Sequence, residues 1–138
     1  MSAQIHSYLT FNGNCREAMM FYKSCFGGEL TLQTIGDSPL SDKMPKKMKD
    51  CILHATLTKN TFVLMGTDMV PSKGLIKGNH VSLSIKCMSL EQIERYFEKL
   101  SEGGKVEHPL EDSFWGALFG DLTDKYGNHW LLSYEKHE

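Results

Sequence analysis

The sequence predicts an α+β fold made of two βαβββ modules. Each half of the 138-residue chain runs in the same order through a strand, a capped helix, a Gly-Gly pair, a second strand and a hairpin. The two helix starts, at Asn14 and Ser89, are 75 residues apart. Because one helix covers only one face of a sheet, we expect the modules to form one curved eight-stranded mixed sheet. Both helices would lie on its convex face, and a cavity on its concave side.

The first module is predicted from alternation and from capping residues. Side chains alternate over Ile5–Phe11, which predicts a half-buried strand with His6 and Tyr8 on its polar face. Asn14 followed by Glu17 has the spacing of a capping box, so a helix is expected to begin there and to end at the first Gly-Gly pair. Three further strands are predicted in this module, at Glu29–Ile35, Cys51–Lys59 and Thr61–Thr67.

The second module repeats this order with different side chains. Alternation predicts a strand over His80–Cys87 with His80 on its polar face, and Ser89 with Gln92 forms a second capping box. The turn Thr123–Gly127 is expected to close the last hairpin, because its aspartate can bond back to the backbone and its glycine can take a positive φ. The remaining strands are predicted at Lys105–Leu110, Phe114–Leu122 and Asn128–Tyr134.

Length and composition limit the functional classes. The chain is expected to be a single domain, in which the loop 69–78 divides module one (1–68) from module two (79–138). The net charge of −2 gives no reason to expect a nucleic-acid partner. Because no apolar run approaches the ~20 residues of a membrane span and the first residues lack a signal-peptide pattern, we expect a cytoplasmic protein. The four scattered cysteines are then interpreted as reduced, buried apolar residues.

Seven segments spread over essentially the whole chain carry a resemblance to a known family. They are Tyr8–Asn14, Ala18–Gly28, Ile52–Ala55, Met65–Asp68, Phe114-Trp115, Phe119–Gly127 and Trp130. In their order and in their amino-acid sequences they resemble the PhnB-type branch of the vicinal oxygen chelate (glyoxalase/bleomycin resistance/dioxygenase) superfamily. The resemblance implies paired modules around a small-molecule cavity and a homodimer. Proteins of this branch have also carried the label of a demethylubiquinone methyltransferase, but the sequence lacks the glycine-rich strand–loop–helix of a methyl-donor nucleoside site.

The resemblance also implies where a divalent metal would bind. Superfamily enzymes place ligands on the first and last strands of each module, and the first-strand positions here are His6 and His80. These two histidines are 74 residues apart and therefore equivalent under the repeat. The last-strand positions instead hold apolar side chains, Leu64 or Met65 in module one and Leu131 or Leu132 in module two. The metal tetrad is therefore incomplete, and no cofactor is assigned beyond a possible divalent ion at the two histidines.

Other polar and aromatic residues are candidates for lining a pocket. His54 could act as a general base or bind a ligand, or it could be a core histidine bonded to its neighbours. Trp115 and Asp121 are expected to share one face of the last hairpin, where an aromatic side chain can fill the core or contact a ligand, and where the aspartate could supply a carboxylate from an unusual position. Three histidines are interpreted as surface residues: His108, His129 and His137.

Two functional hypotheses follow. In the first, the chain is a small-molecule-binding PhnB-like protein of undefined activity, with a ligand of unknown class and no catalytic residue assigned. Its ligand-binding candidates are His6, Tyr8, His54, His80, Trp115 and Asp121. The alternative is a divalent-metal-dependent lyase or thiol transferase of glyoxalase type that uses His6 and His80.

Overall fold

The computed structural model describes residues 2–136, and its first module follows the predicted order of elements. The strands form one mixed sheet, sheet one, in the order β1-β4-β3-β2, with β1 parallel to β4 and the other pairs antiparallel. The polar loop between β2 and β3 contains two short 3-10 helices, at Ser41–Lys43 and Lys46–Met48. The elements are β1 (Ser7–Thr10), α1 (Cys15–Phe26), β2 (Glu29–Thr34), β3 (Ile52–Lys59) and β4 (Phe62–Thr67).

The second module repeats the arrangement. Its strands form sheet two in the order β5-β8-β7-β6, with β5 parallel to β8 and the other pairs antiparallel. The elements are β5 (Leu83–Cys87), α2 (Leu90–Ser101), β6 (Lys105–Asp112), β7 (Ala117–Thr123) and β8 (His129–Glu135). The eight predicted strands are thus divided into two four-stranded sheets, one for each module, and the predicted α+β class is confirmed.

The chain divides into two compact units, Met1–Ile76 and Lys77–Glu138. This division falls inside the loop 69–78 that separates the two copies of the repeat in the sequence. Over residues 2–136, neither helix is long and apolar enough to cross a membrane.

Each helix packs on one face of its own sheet, and a glycine on a central strand allows the close approach. A Cβ at Gly66 would lie 3.1 Å from Cys15 Sγ and 3.2 Å from Met19 Sδ, both on α1. A Cβ at Gly120 would lie 2.9 Å from a ring carbon of Phe97 on α2. Because side chains alternate along a strand, the neighbours of these glycines point to the opposite side. We call that side, turned away from the module's helix, the open face of each sheet.

The start of α1 differs from the prediction. Asn14 is the N-cap residue, but its side chain makes no capping hydrogen bond, so the predicted capping box is wrong in this respect. The buried carboxylate of Asp68, at the end of β4, takes this role. Its Oδ1 accepts hydrogen bonds from the backbone N–H groups of Gly13 (3.0 Å) and Cys15 (2.9 Å), and its Oδ2 accepts one from Ile52 (2.8 Å). A residue 53 positions away therefore supplies the cap, which no local pattern indicates.

The second helix start and the terminal turn agree with the predictions. The Ser89 hydroxyl accepts a hydrogen bond from the Gln92 N–H at 3.1 Å, and the Gln92 side-chain oxygen accepts one from the Met88 N–H at 2.8 Å. In the terminal turn, Asp124 Oδ1 accepts hydrogen bonds from two backbone N–H groups of the same loop, and Gly127 has a φ of +87°. Local sequence rules apply here because both partners lie within a few residues of each other.

Strands β5 and β7 begin well after their predicted first residues, His80 and Phe114. Strand β5 begins at Leu83, so His80 precedes the strand and is not part of its polar face. Strand β7 begins at Ala117, and Trp115 therefore lies in the loop before it. The reason is a turn that Ser113 closes: its backbone N–H and its hydroxyl both donate to the Ala117 carbonyl oxygen, while Gly116 has a φ of +86°. This turn leaves Phe114 98% and Trp115 58% exposed.

We predict that Asp68→Ala destabilises the protein by about 3 kcal/mol or more, because three backbone N–H groups lose their acceptor and each buried donor without a partner costs roughly 1–3 kcal/mol. The matched control is Asn14→Ala, which removes the side chain of the local N-cap residue and is expected to cost less than about 0.5 kcal/mol. Urea denaturation followed by circular dichroism measures both values. A larger loss for the Asn14 variant would contradict the assignment of the cap.

Candidate functional site

His6 and His80, where a divalent ion was considered possible, do not lie on strands. His6 precedes β1, is exposed, and its Nε2 lies 3.1 Å from the Gln4 side-chain oxygen. His80 precedes β5 and is also exposed. The expectation that both occupy the polar faces of first strands is therefore wrong. Among residues 2–136, no three His, Cys, Asp or Glu side chains are arranged so that they could hold a metal ion.

Sheet one carries a small polar cluster on its open face. The Tyr8 hydroxyl is 3.4 Å from His54 Nδ1, and the two rings lie 5.7 Å apart at an angle of 45°. The other nitrogen, His54 Nε2, is 3.1 Å from the Thr56 hydroxyl. In the sheet, Thr56 pairs with Met65, and Met65 pairs with Tyr8, so the cluster crosses three neighbouring strands. Two of the predicted ligand-binding residues, Tyr8 and His54, are thus brought together.

The His54 imidazole is neither a core residue nor a free surface group. Its ring is only partly buried, while Ala55, the next residue, is fully buried beneath α1. Both ring nitrogens have hydroxyl partners, and hydroxyl groups can either donate or accept a hydrogen bond. The cluster can therefore adapt to a ligand that offers either a donor or an acceptor.

Sheet two carries a second and tighter cluster around Asp121. This carboxylate is on β7 and only 9% exposed. Its Oδ1 lies 2.6 Å from His108 Nδ1 on β6, and its Oδ2 lies 3.0 Å from His129 Nε2 on β8. The chain of contacts continues to Ser82, whose hydroxyl is 2.6 Å from His129 Nδ1. We call these four residues the Asp121 cluster.

The hydrogen-bond partners define the neutral form of His129. An ionised carboxylate can only accept hydrogen bonds, so the nitrogen that faces Asp121, Nε2, must carry the proton. In a neutral imidazole the other nitrogen then has a free lone pair. His129 Nδ1 is therefore an acceptor, and the Ser82 hydroxyl must donate to it. The carboxylate thus orients an imidazole base toward a hydroxyl group.

His108 is a surface residue, as predicted, whereas His129 is half-buried, and both bond to the Asp121 carboxylate. The His129 side chain is 30% exposed and uses both ring nitrogens, and the His108 side chain, although 77% exposed, bonds to the buried carboxylate. His137, the third histidine so interpreted, lies outside the described residues. A signal for His129 was present in the sequence. In the hairpin, Thr123 pairs with His129 and Asp121 pairs with Leu131, which makes Asp121 and His129 diagonal neighbours on one face.

The contact between His108 and Asp121 could not be predicted from the sequence in this way. The register of β6 against β7 shifts on either side of the His108–Asp121 pair, between Val106 and His108 and again between His108 and Glu111. Each such irregularity changes which side chains share a face. Alternation along the sequence therefore does not predict that His108 meets Asp121.

Aromatic side chains stand next to the Asp121 cluster. Phe119 is two residues from Asp121 on β7 and shares its open face, and its ring centroid is 5.9 Å from that of Trp115 at an angle of 68°. Phe114 packs edge-on against Trp115 at 5.0 Å. Trp130 is different, because it is buried and donates its indole N–H to Asp124 Oδ2 at 2.8 Å. The face thus combines exposed rings with oriented polar groups.

The thiols are poor candidates for chemistry at neutral pH. Burial raises the pKa of the Cys15 thiol to about 12 and that of the Cys87 thiol to about 11, and the nearby Asp68 carboxylate adds to the effect at Cys15. A raised pKa keeps both groups protonated, whereas the thiolate is the nucleophile. Cys87 also borders a shallow cleft at the ends of β5 and β8, together with Lys86, Met88, Tyr134 and Glu135. None of the predicted ligand-binding residues lines this cleft.

Known proteins resemble this chain over nearly its whole length. The family described as 3-demethylubiquinone-9 3-methyltransferase matches residues 3–133. Protein YjdN of Escherichia coli (strain K12) is 30% identical over 140 residues, covering 95% of each chain. The crystal structure of protein PA1353 from Pseudomonas aeruginosa has 41% identity and a TM-score of 0.87, covering 99% of this chain and 100% of its own.

Two further structures extend the likeness. A PhnB protein from Bacillus cereus has 29% identity and a TM-score of 0.73, covering 96% of this chain and 99% of its own. A glyoxalase/bleomycin resistance protein from Albidiferax ferrireducens T118 has 16% identity and a TM-score of 0.61, covering 96% and 100%. At that identity the last comparison concerns the fold alone.

We predict that the neutral imidazole of His129 carries its proton on Nε2. Two-bond proton–nitrogen correlation spectra at about pH 8, above the ordinary titration range of imidazoles, distinguish the two tautomers. Asp121→Asn is expected to reduce the population of this tautomer, because an amide can also donate to Nε2. His6 is the internal control for this variant, because its Nε2 faces the Gln4 side-chain oxygen and its tautomer should not change when Asp121 is replaced. A dominant Nδ1–H form in the unmodified protein would contradict the proposed orientation.

Proposed function

The chain belongs to the PhnB-like family, which is described as 3-demethylubiquinone-9 3-methyltransferase and lies within the glyoxalase/bleomycin resistance/dioxygenase superfamily, and from this premise we propose that it binds a small organic molecule on the open faces of its sheets. The observation that carries the proposal is the Asp121 cluster. A buried carboxylate that fixes two imidazoles beside exposed aromatic rings supplies the mostly apolar surface with a few directed polar groups that is typical of small-molecule sites.

The chemistry of the side chains limits the class of ligand. Phe119 and Trp115 offer ring surfaces, which favour an apolar, ring-sized body. The polar groups nearby are imidazoles and the Ser82 hydroxyl, which bind oxygen or nitrogen atoms and require no formal charge on the ligand. In sheet one, Tyr8 and His54 supply the same kind of groups. We therefore propose a ligand with an aromatic or otherwise apolar ring and at least one hydroxyl or carbonyl oxygen.

The metal-dependent alternative has no supporting observation. A lyase or thiol transferase using His6 and His80 would need both side chains oriented as ligands, together with carboxylates to complete the set. Both histidines are exposed and precede their strands. The methyl transfer in the family description is not proposed either, because the sequence lacks a glycine-rich strand–loop–helix for a methyl-donor nucleoside.

We also propose that the two modules act as a single domain in a cytoplasmic homodimer. The four cysteines are free thiols, which fits a reducing compartment. Each sheet has two edge strands, and edges that lack a partner favour association between chains. Size-exclusion chromatography with light scattering measures the assembly directly, and a mass near the 15.6 kDa of one chain would exclude the dimer.

We expect fragments that combine an aromatic ring with an oxygen to shift the backbone amide resonances of β7 and β8 around Phe119, Asp121 and His129. Asp121→Ala should weaken binding by roughly tenfold, which corresponds to about 1.4 kcal/mol, because the imidazoles lose their orientation. The matched control is Asp112→Ala, which removes an exposed aspartate that pairs with Lys136 on the same sheet.

Two outcomes of this screen would contradict the proposal. In the first, the shifts fall on the cleft at the ends of β5 and β8 instead of the open face. In the second, the Asp112 and Asp121 variants weaken binding equally, which would indicate a general loss of structure. Thermal denaturation of both variants, measured alongside, shows whether each is folded at the temperature of the binding experiment.

A further inference from the structure

The Asp121 cluster contains an arrangement that goes beyond the binding of a ligand. Ser82, His129 and Asp121 form an unbroken hydrogen-bonded chain of hydroxyl, imidazole and carboxylate, with distances of 2.6 Å and 3.0 Å. We propose that Ser82 is a nucleophilic serine, activated by His129 as the base and by Asp121 as the positioning residue. Its substrate class would be an activated ester, from which the serine takes an acyl or phosphonyl group.

The direction of each hydrogen bond supports this assignment. The ionised Asp121 holds the proton on His129 Nε2, so His129 Nδ1 must accept the Ser82 hydroxyl proton. A serine hydroxyl is a weak nucleophile unless an adjacent base removes its proton, and a third group usually orients that base. The two ring nitrogens are exchanged relative to the arrangement in serine proteases, where the carboxylate binds Nδ1. The chemistry is unaffected, because either nitrogen can act as the base when the other is held as a donor.

Burial and exposure are distributed as this role requires. Asp121 is only 9% exposed, and its second oxygen is occupied by His108, so the carboxylate is held from two sides. Low exposure strengthens its interaction with the imidazolium that forms when His129 takes the proton. Ser82 is exposed and precedes β5, which leaves its hydroxyl accessible to a substrate on the open face. The neighbouring Phe119 and Trp115 rings could hold the apolar part of that substrate.

The proposed reaction is balanced in atoms and electrons. Ser82 Oγ attacks the carbonyl carbon of the ester, a new carbon–oxygen bond forms, and the hydroxyl proton moves to His129 Nδ1. The bond to the leaving alcohol then breaks, and the alcohol takes that proton from the imidazole. A water molecule then attacks the carbonyl carbon of the acyl-serine ester and gives its proton to His129 Nδ1. The bond between that carbon and Ser82 Oγ breaks, Oγ takes the proton back, and the acid is released. Asp121 stays ionised throughout, as the carboxylate does in other serine–histidine–aspartate sites.

The test uses a fluorophosphonate, which reacts with an activated serine by forming an oxygen–phosphorus bond and releasing fluoride. We expect the unmodified protein to gain one phosphonyl group, located on Ser82 by peptide mass spectrometry. Ser82→Ala and His129→Gln should lose at least about 100-fold in labelling rate, since a general base typically contributes 10²–10⁴-fold. Ser84→Ala removes another exposed serine, on β5 two residues along the chain, and is expected to label like the unmodified protein.

The positioning role of Asp121 is tested by a measurement that would not change if this residue only stabilised the fold. Asp121→Asn should slow labelling and at the same time reduce the Nε2–H tautomer of His129, whereas His108→Gln should leave that tautomer in place. The proposal is overturned if the unmodified protein is not labelled at Ser82, or if the His129 variant is labelled as fast as the unmodified protein. The first of these outcomes requires no variant to fold.

This inference deepens the proposed function and rests on it for the place where a substrate would lie. The two can fail separately. Fragment binding to the open face together with an unlabelled Ser82 would overturn only the nucleophile. Labelling of Ser82 in a protein whose open face binds no fragment would overturn only the proposed ligand site.

Discussion

The arrangement of module one depends on the buried carboxylate of Asp68. A charge removed from water is costly unless hydrogen-bond donors replace its hydration, and Asp68 receives three backbone N–H groups. These groups come from the loop before α1, from the first residue of this helix and from the start of β3, while the aspartate directly follows β4. One side chain therefore fixes where the helix begins relative to the two central strands of sheet one. The polar cluster of Tyr8 and His54 is carried by the strands aligned in this way.

Module two uses two buried carboxylates, and their donors decide what each can do. Asp124 accepts hydrogen bonds from backbone N–H groups and from the indole of Trp130, and none of these donors changes charge near neutral pH. These hydrogen bonds fix the terminal turn. Asp121 is bonded by two imidazoles, and the imidazole is the side chain that ordinarily changes charge between pH 5 and 8. Both aspartates are buried, with 3% of Asp124 and 9% of Asp121 exposed, and their different donors give the first a structural role and the second its proposed place in proton transfer.

The repeat, the two helices and the terminal turn could be predicted because they depend on local spacing. The long-range contacts that the sequence did not reveal depend on partners brought together by folding. Asp68 caps a helix from 53 residues away, and His108 meets Asp121 only because the register of β6 shifts on both sides of it. His129 was within reach, since the predicted hairpin already brought it close to Asp121 on the neighbouring strand, where the structure makes the two residues diagonal neighbours. A polar residue on a strand can therefore be assigned to the surface only when the register of both neighbouring strands is known.

The strand pairing also explains why the two open faces differ although the modules repeat. One row of paired residues crosses each face, Tyr8, Met65 and Thr56 in sheet one and Ser84, Leu131 and Asp121 in sheet two. The middle position of each row lies on the last strand of the module. The resemblance implies a metal-binding carboxylate on that strand, at Leu64 or Met65 in module one and at Leu131 or Leu132 in module two, and all four of these side chains are apolar. In sheet two the carboxylate lies one strand further across, about 4.8 Å away, between two histidines. In that position it is already used by imidazoles, so the face is better suited to moving a proton than to holding a metal ion.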